Sequence, residues 1–356
     1  MRFDARTGTE AWNYETMAWS YTVQPAHAGS PIVVSAGRKQ RVYATFFNSD
    51  RRPVRNIEKS ELFALDAEDG ALLWKRLLTD HPVTSPTYFG DQGQGYLAVG
   101  SEDGCVYTVR AADGAPGWKR VLTHAVAATP AASSIAGQPV LYVGDRWGML
   151  HCLSARTGSR IWGYKTGHEI LSTPAIGMTK SNLGAFVGSS DRCIRAIDAK
   201  SSMEIWRFPT GKYVTASPVL CKVVGKPAVV CNSLDNKLYV LDAETGTSIW
   251  EMAAGDMLWA YETRGSTCWS SPAVAEVDGN PMIFYPAYDG KLYALKSVPR
   301  CFTDKEMPAI YAKQKRRGTA PPMFVLALGG LLVVAAVLLI FLSPRRALSG
   351  GRGEES

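Results

Sequence analysis

Five segments decide the fold: LFALDAEDGALLW (62–74), VYTVRAADGAPGW (106–118), LHCLSARTGSRIW (150–162), IRAIDAKSSMEIW (194–206) and LYVLDAETGTSIW (238–250). Their closing tryptophans, Trp74, Trp118, Trp162, Trp206 and Trp250, are spaced by 44 residues. A shorter copy, FDARTGTEAW (3–12), ends at Trp12. A period of this size is the mark of a repeat architecture.

Two further marks keep the same period through the regular units. A small hydroxyl residue precedes proline at Ser30, Ser85, Thr129, Thr173, Ser217 and Ser271. Turn pairs recur at Asp103-Gly104, Trp147-Gly148, Asp191-Arg192 and Asp235-Asn236, with Asp289-Gly290 in the last unit. Each unit therefore reads as four short strands. The first follows the hydroxyl-Pro mark, the second is an apolar run such as PVLYVG, the third is of LYVLDA type, and the fourth ends in Trp. Strand-rich runs separated by turn signals give an all-β chain, and a four-stranded unit of this length is the size of a propeller blade.

The A-x-D-A-x-x-G-x-x-x-W segment resembles the repeat of the pyrroloquinoline-quinone-type, tryptophan-docking β-propellers, over roughly residues 3–297. The resemblance implies that Trp12, Trp74, Trp118, Trp162, Trp206 and Trp250 dock neighbouring blades. Asp66, Asp198 and Asp242 should cap the turn into the fourth strand. Gly70, Gly114, Gly158 and Gly246 should take positive φ there, where a Cβ is unfavourable. The fourth unit departs from the pattern, with Ser201-Ser202 at the turn.

The last unit supplies three strands and then runs into PRCFTDKE without a Trp, while the N-terminus carries an unpartnered fourth strand, TEAWNYE. Pairing residues 1–16 with Lys291–Ser297 would close six blades and remove an open sheet edge. The resembling family more often has seven or eight blades, which an incomplete N-terminus would allow.

Composition fits this class: 46% hydrophobic, 20% charged, 33 Gly and 20 Pro exclude a disordered or collagen-like chain. The net charge of +7 is spread rather than striped, so nucleic acid is not an expected partner. Seven cysteines without C-x-x-C spacing argue against a zinc site and a fully paired disulfide framework. Cys221 and Cys231 flank a turn at Gly225 and are read as two buried free thiols.

Met323–Leu342 is a 20-residue uncharged apolar run, about 30 Å as a helix and matched to a bilayer core. The expected organisation is a propeller over 1–298, a basic linker over 299–322, a single transmembrane helix over 323–342 and a polar tail over 343–356. Five basic residues precede the span (Lys305, Lys313, Lys315, Arg316, Arg317) and three follow it (Arg345, Arg346, Arg352). That balance, with no signal peptide at MRFDARTG, favours a cytoplasmic propeller on the chain as written; an upstream signal peptide would make it extracytoplasmic.

Three places break the period. From Trp to the next hydroxyl-Pro mark is 11 residues in four units, but 18 from Trp12 to Ser30 and 21 from Trp250 to Ser271. Ser30 to Trp74 is 44 instead of 33, with the extra residues assigned to a second-to-third strand loop around Asp50–Lys59. Strand alternation puts all three on one face of adjacent blades, with Trp147 topping blade three on that face. The candidate partner-binding residues are Trp19, Arg52, Trp259, Tyr261 and Arg264, because Arg and aromatic residues on long loops make a binding composition.

Signs of chemistry are few. Quinoprotein dehydrogenases resemble one another in a vicinal Cys-Cys pair and a Glu, Asn and Asp group around Ca²⁺; this chain has no adjacent cysteines. HExxH, GxSxG and phosphate-loop motifs are missing from it. The expected function is a membrane-anchored, non-catalytic propeller that binds protein or peptide, without cofactor or metal. The alternative is a PQQ-dependent oxidoreductase.

Overall fold

The computed structural model describes residues 2–3, 10–12, 26–36, 39–50, 57–179, 181–223, 226–235, 237–247, 271–277, 280–286, 292–296, 323–324 and 335–336. They form antiparallel sheets in chain order. Sheet one contains β3 (Ala26–Ala28), β4 (Ile32–Ala36), β5 (Lys39–Asp50), β6 (Ile57–Asp66) and β7 (Leu72–Thr79). Before it, β1 (Arg2–Phe3) pairs with β2 (Glu10–Trp12).

The next three sheets are four-stranded meanders. Sheet two is β8 (Thr87–Asp91), β9 (Gln94–Gly100), β10 (Cys105–Arg110) and β11 (Pro116–Val121). Sheet three is β12 (Ala131–Ile135), β13 (Gln138–Gly144), β14 (Met149–Ser154) and β15 (Arg160–Lys165). Sheet four is β16 (Ala175–Met178), β17 (Leu183–Ser189), β18 (Cys193–Asp198) and β19 (Glu204–Pro209). Three strands each are described for sheet five, β20 (Val219–Val223), β21 (Lys226–Ser233) and β22 (Lys237–Asp242), and for sheet six, β23 (Ala273–Val277), β24 (Asn280–Pro286) and β25 (Leu292–Lys296).

The first strand of each sheet lies against the next: β8 on β12, β12 on β16, β16 on β20 and β20 on β23. The sheets thus stand face to face around a shared inner row, as in a propeller. Middle strands are apolar on both sides because both sides are covered. In β14, Leu150 and Cys152 pack toward sheet four while Leu153 packs toward sheet two, following the two-residue alternation of a strand. The core is therefore a series of slabs between neighbouring sheets rather than one centre.

The repeat turn explains the sequence period. Asp66 Oδ1 accepts the Glu68 amide at 2.9 Å, and the Gly70 amide donates to the Asp66 carbonyl at 3.0 Å. Asp198 and Asp242 hold the amides of Ser201 and Glu244 in the same way. Gly70, Gly114, Gly158 and Gly246 have φ of 75°, 71°, 71° and 70°, as expected, and Ser202 takes the same conformation at 66°.

The indoles sit over the next sheet's turn. Trp74, Trp118, Trp162 and Trp206 each donate Nε1–H to a carbonyl 37 residues on, at Ala111, Ala155, Ala199 and Ala243, over 2.8–3.1 Å. A Cβ at Gly114 or Gly158 would lie 2.7 Å from the indole of Trp74 or Trp118. The turn glycine therefore meets two demands, positive φ and close approach of an aromatic face. The described part of Trp12 is its backbone in β2, and Trp250 lies outside the described residues.

One expectation changes, and a second is not met among the described residues. The extra residues of sheet one lengthen strands rather than forming a loop: β5 and β6 stay in register to Asp50↔Ile57. At the base of the added length Phe46 and Phe63 meet edge to face at 5.1 Å. Pairing of residues 1–16 with Lys291–Ser297 is not among the pairings of the described residues; β2 pairs with β1, and β25 with β24.

Of the apolar run 323–342, the described residues are β26 (Met323–Phe324) and β27 (Ala335–Ala336), paired antiparallel; the remainder lies outside them. Among the described residues no helix is long and apolar enough to cross a membrane. Cys105, Cys152, Cys193, Cys221 and Cys231 are free, and Cys221 faces Ala228 across its hairpin rather than Cys231.

Candidate functional site

The face that carries the second-to-third strand turns also carries the connections from one sheet to the next, because meander strands alternate in direction. On this face the extended hairpin of sheet one gains a partner. β3, from the long segment after Trp12, pairs along the extra length of β5, with His27 opposite Phe47. Two departures from the period, about 20 residues apart, are thus joined by main-chain hydrogen bonds. Beside them opens a cavity of about 470 Å³, lined by Phe47, Pro82, Val83, Thr84, Ala127 and Thr129 among others. Trp19, Arg52, Trp259, Tyr261 and Arg264 all lie outside the described residues.

The hydroxyl-Pro marks sit at the inner row and act across sheets. The amide of Ser30 donates to Ser85 Oγ at 2.8 Å, that of Thr173 to Ser217 Oγ at 2.9 Å, and that of Ser217 to Ser271 Oγ at 2.8 Å. Each hydroxyl gives a partner to an amide that no strand ladder reaches and ties one sheet to the next. The sequence shows this mark but not its partner, since the bond spans a full repeat.

The turns on this face follow one plan in three sheets. A serine, an aspartate two residues later and a long polar residue four further on form a unit: Ser101, Asp103, Tyr107; Ser189, Asp191, Arg195; Ser233, Asp235, Tyr239. The aspartate holds the turn and the incoming connection together. Asp191 accepts the Gly167 amide at 2.7 Å and Arg195 at 2.8 Å; Asp235 accepts the Gly211 amide at 2.7 Å and Tyr239 at 2.6 Å. Burial opposes ionisation of Asp191, but Arg195 and the Gly167 amide outweigh it and hold the carboxyl below its ordinary range.

Sheet three departs from this plan at every position. Asp145 stands where the others have serine, Trp147 where they have aspartate, and His151 where they have tyrosine or arginine. Asp145 is fully buried, and its Oδ1 accepts the amides of Trp147 at 2.9 Å and Met149 at 2.8 Å. Its Oδ2 lies 3.0 Å from Nε2 of the buried His151. Burial again opposes the charge, and the bonds from His151 and the two amides outweigh it, so this carboxyl too is held low. The stability these bonds confer is present above the ordinary carboxyl range and is lost as pH falls below it.

With the turn fixed from beneath, Trp147 stands 55% exposed. Its ring stacks on His124 at 4.7 Å and 10°, and Lys165 Nζ lies 4.4 Å from the ring centroid and donates to the Trp147 carbonyl. One connection further on, His168 stacks on the half-exposed Tyr213 at 6.2 Å. Arg146 bridges Glu102 of sheet two at 2.7 Å and Glu169 of the sheet three to four connection at 3.9 Å.

Burial pushes the thiols of Cys152 and Cys221 up to about 12, so they stay protonated at neutral pH. Among the described residues no group of three or more His, Cys, Asp or Glu converges as a metal site. The exchange of Asp145, Trp147 and His151 is readable by overlaying the repeats residue by residue; it is hidden when only the recurrent marks are followed.

The profile of the family described as outer membrane protein assembly factor BamB matches residues 58–136 and 102–297. No curated protein matches the chain. Among solved structures it is similar to Sqt1 of Saccharomyces cerevisiae, at 12% identity and a TM-score of 0.56 over 72% of this chain and 69% of that one. It is similar to a europium-containing methanol dehydrogenase, at 13% identity and a TM-score of 0.51 over 76% and 65%. BamB from Moraxella catarrhalis matches at 16% identity and a TM-score of 0.45 over 71% and 81%. At these identities the structural likeness concerns the fold alone.

Proposed function

The chain belongs to the PQQ-like β-propeller family described as outer membrane protein assembly factor BamB, and from that premise we propose that it is a non-catalytic scaffold that binds protein or peptide and is tethered to a membrane. The family's description as an assembly factor supports a protein-binding role. The observation that carries the reading is the pairing of β3 with the extra length of β5, which brings two repeat-breaking segments together on one face beside a cavity. Strands added where a repeat could have been kept are a cost unless the surface they build is used.

The finer picture has six blades, with the N-terminal strand completing sheet six, and the six repeat tryptophans docking blade to blade. The four indole-to-carbonyl bonds described support that role. Trp19, Arg52, Trp259, Tyr261 and Arg264 form the partner surface, residues 299–322 the linker and Met323–Leu342 the membrane anchor, with residues 343–356 as a polar tail.

Cross-linking of the full chain in its own membranes tests the surface. Alanine at all five positions should abolish the captured partner while thermal unfolding stays in place; a folded variant that retains every partner would remove this face. Deleting residues 321–356 should release the chain from membranes washed in high salt, and retention there would overturn the anchor.

A further inference from the structure

The three-residue exchange in sheet three costs the fold something it keeps elsewhere. In sheets four and five the aspartate of the turn ties down the amide of the incoming connection. Trp147 occupies that position in sheet three, so the tie is given up there, and Asp145 with His151 holds the turn by other bonds. Half-exposing a large aromatic ring gains nothing for stability that a buried one would not gain more fully. The exchange makes sense as the presentation of Trp147 to something outside the chain.

Charge on the adjoining loops says what that is. From sheet two to sheet five these carboxylates of the face are used internally: Glu169 and Glu102 on Arg146, Asp191 on Arg195, Asp235 on Tyr239 and the Gly211 amide. The cations Lys165, Arg192 and Lys212 have no carboxylate partner among the described residues, and Lys165 lies against Trp147 itself. They follow one another along the rim in the order of the sheets, with the exposed Tyr213 next to Lys212. Arg192 is held at φ of 68°, in the turn of sheet four. An exposed indole leading into a row of cations without carboxylate partners among the described residues complements an extended chain that carries carboxylates and a flat apolar group.

We propose that Trp147 anchors an acidic, extended peptide segment that runs across Lys165, Arg192 and Lys212. This rests on the protein-binding reading of the same face and names the chemistry of the partner. A stretch of about ten residues reaches roughly 33 Å, enough to cross several loops.

The test is fluorescence anisotropy with the full chain in detergent. The probe is a fluorescein-labelled decapeptide of alternating glutamate and proline, and the control has lysine in place of glutamate. The glutamate peptide should bind, more weakly as salt rises, and the lysine peptide at least about tenfold more weakly still. Trp147→Asp restores the residue of the other sheets and should weaken the glutamate peptide about thirtyfold, the usual loss at an aromatic anchor, with thermal unfolding unchanged. Lys212→Glu with Arg192→Glu, which leaves the Trp147 turn untouched, should weaken it by at least about tenfold. Equal binding of the two peptides overturns the proposal, as does unchanged binding by either variant. Stronger Trp147-dependent binding of phosphatidylglycerol vesicles or of a thymidine 20-mer would overturn it in favour of a lipid or a nucleic acid. Should Trp147→Asp keep a cross-linked partner that the five-alanine variant loses, the inference falls and the wider reading of the face stands. If neither variant loses the partner, both fall.

Discussion

Sheets two to four keep the 44-residue period and repeat one set of contacts, whereas sheet one adds residues in two places and joins them through β3 and β5. In the regular sheets each side chain answers to its neighbour one repeat away. Trp118 needs Gly158 beneath it and the Ala155 carbonyl at its edge, and the next sheet asks the same of Trp162 at Ala199. In sheet one the added strands meet no such demand, since among the described residues no other sheet reaches their height. The period therefore marks where the chain serves the fold, and its interruptions mark where it is free to serve something else. Sheet three shows a third case, in which the period is kept and the residues are exchanged.

The largest test of this contrast is Trp162→Ala. It removes a docking indole and its bond to Ala199, and should cost about 3–5 kcal/mol in chemical unfolding. Loss of less than about 1 kcal/mol would mean that the regular sheets do not depend on these contacts.

Two glycines of equal φ separate the next effect. Gly137, at 76°, has open space where a Cβ would go, while Gly158, at 71°, faces Trp118 at 2.7 Å. Alanine at Gly137 should cost about 1 kcal/mol from the backbone alone. At Gly158 it should cost about 2–3 kcal/mol, because the indole must also move. Equal losses would deny the close approach any part in the repeat.

Shortening the irregular sheet should matter less. Asn48 faces Lys59 across β5 and β6, so replacing residues 49–58 by Asn-Gly leaves a two-residue hairpin of favourable type. A loss of about 1 kcal/mol or less is expected, and a cooperative collapse would show that the tall hairpin belongs to the core. Smallest of all, Ser202→Gly relieves the non-glycine residue held at 66° in the repeat turn. A gain of about 0.5 kcal/mol is expected, measured as a shift in the urea midpoint at constant slope.

What the sequence revealed follows the same division. The tryptophans, the turn aspartates and the glycines of positive φ were legible because each recurs and each has one physical reason for being there. Ser202 was legible as an exception, and the structure puts it in the glycine conformation. The hairpin of sheet one was read as a loop because the count of extra residues does not say whether they extend strands or leave them; the register shows the strands continuing to Asp50 and Ile57. β3 could not be read at all, since three residues, Ala26–Ala28, are too few for alternation to signal a strand, and the segment pairs with the edge that β5 presents. The hydroxyl relay was visible as a mark without a role, because its two ends are a repeat apart.

The 37-residue distance between each indole and its carbonyl acceptor sets a schedule for synthesis. When Trp118 leaves the ribosome, Ala155 has yet to follow it out, and at about 5–20 residues per second the ring waits seconds for its cover. Each sheet leaves the exit tunnel with one flank unfinished and is completed by its successor, so the nascent chain always carries a single advancing hydrophobic edge rather than several. Chaperones that meet this protein during translation would find that edge moving along the chain one sheet at a time. An interruption of synthesis between sheets would leave the indole of the last finished sheet bare, a mark by which an incomplete chain differs from a complete one.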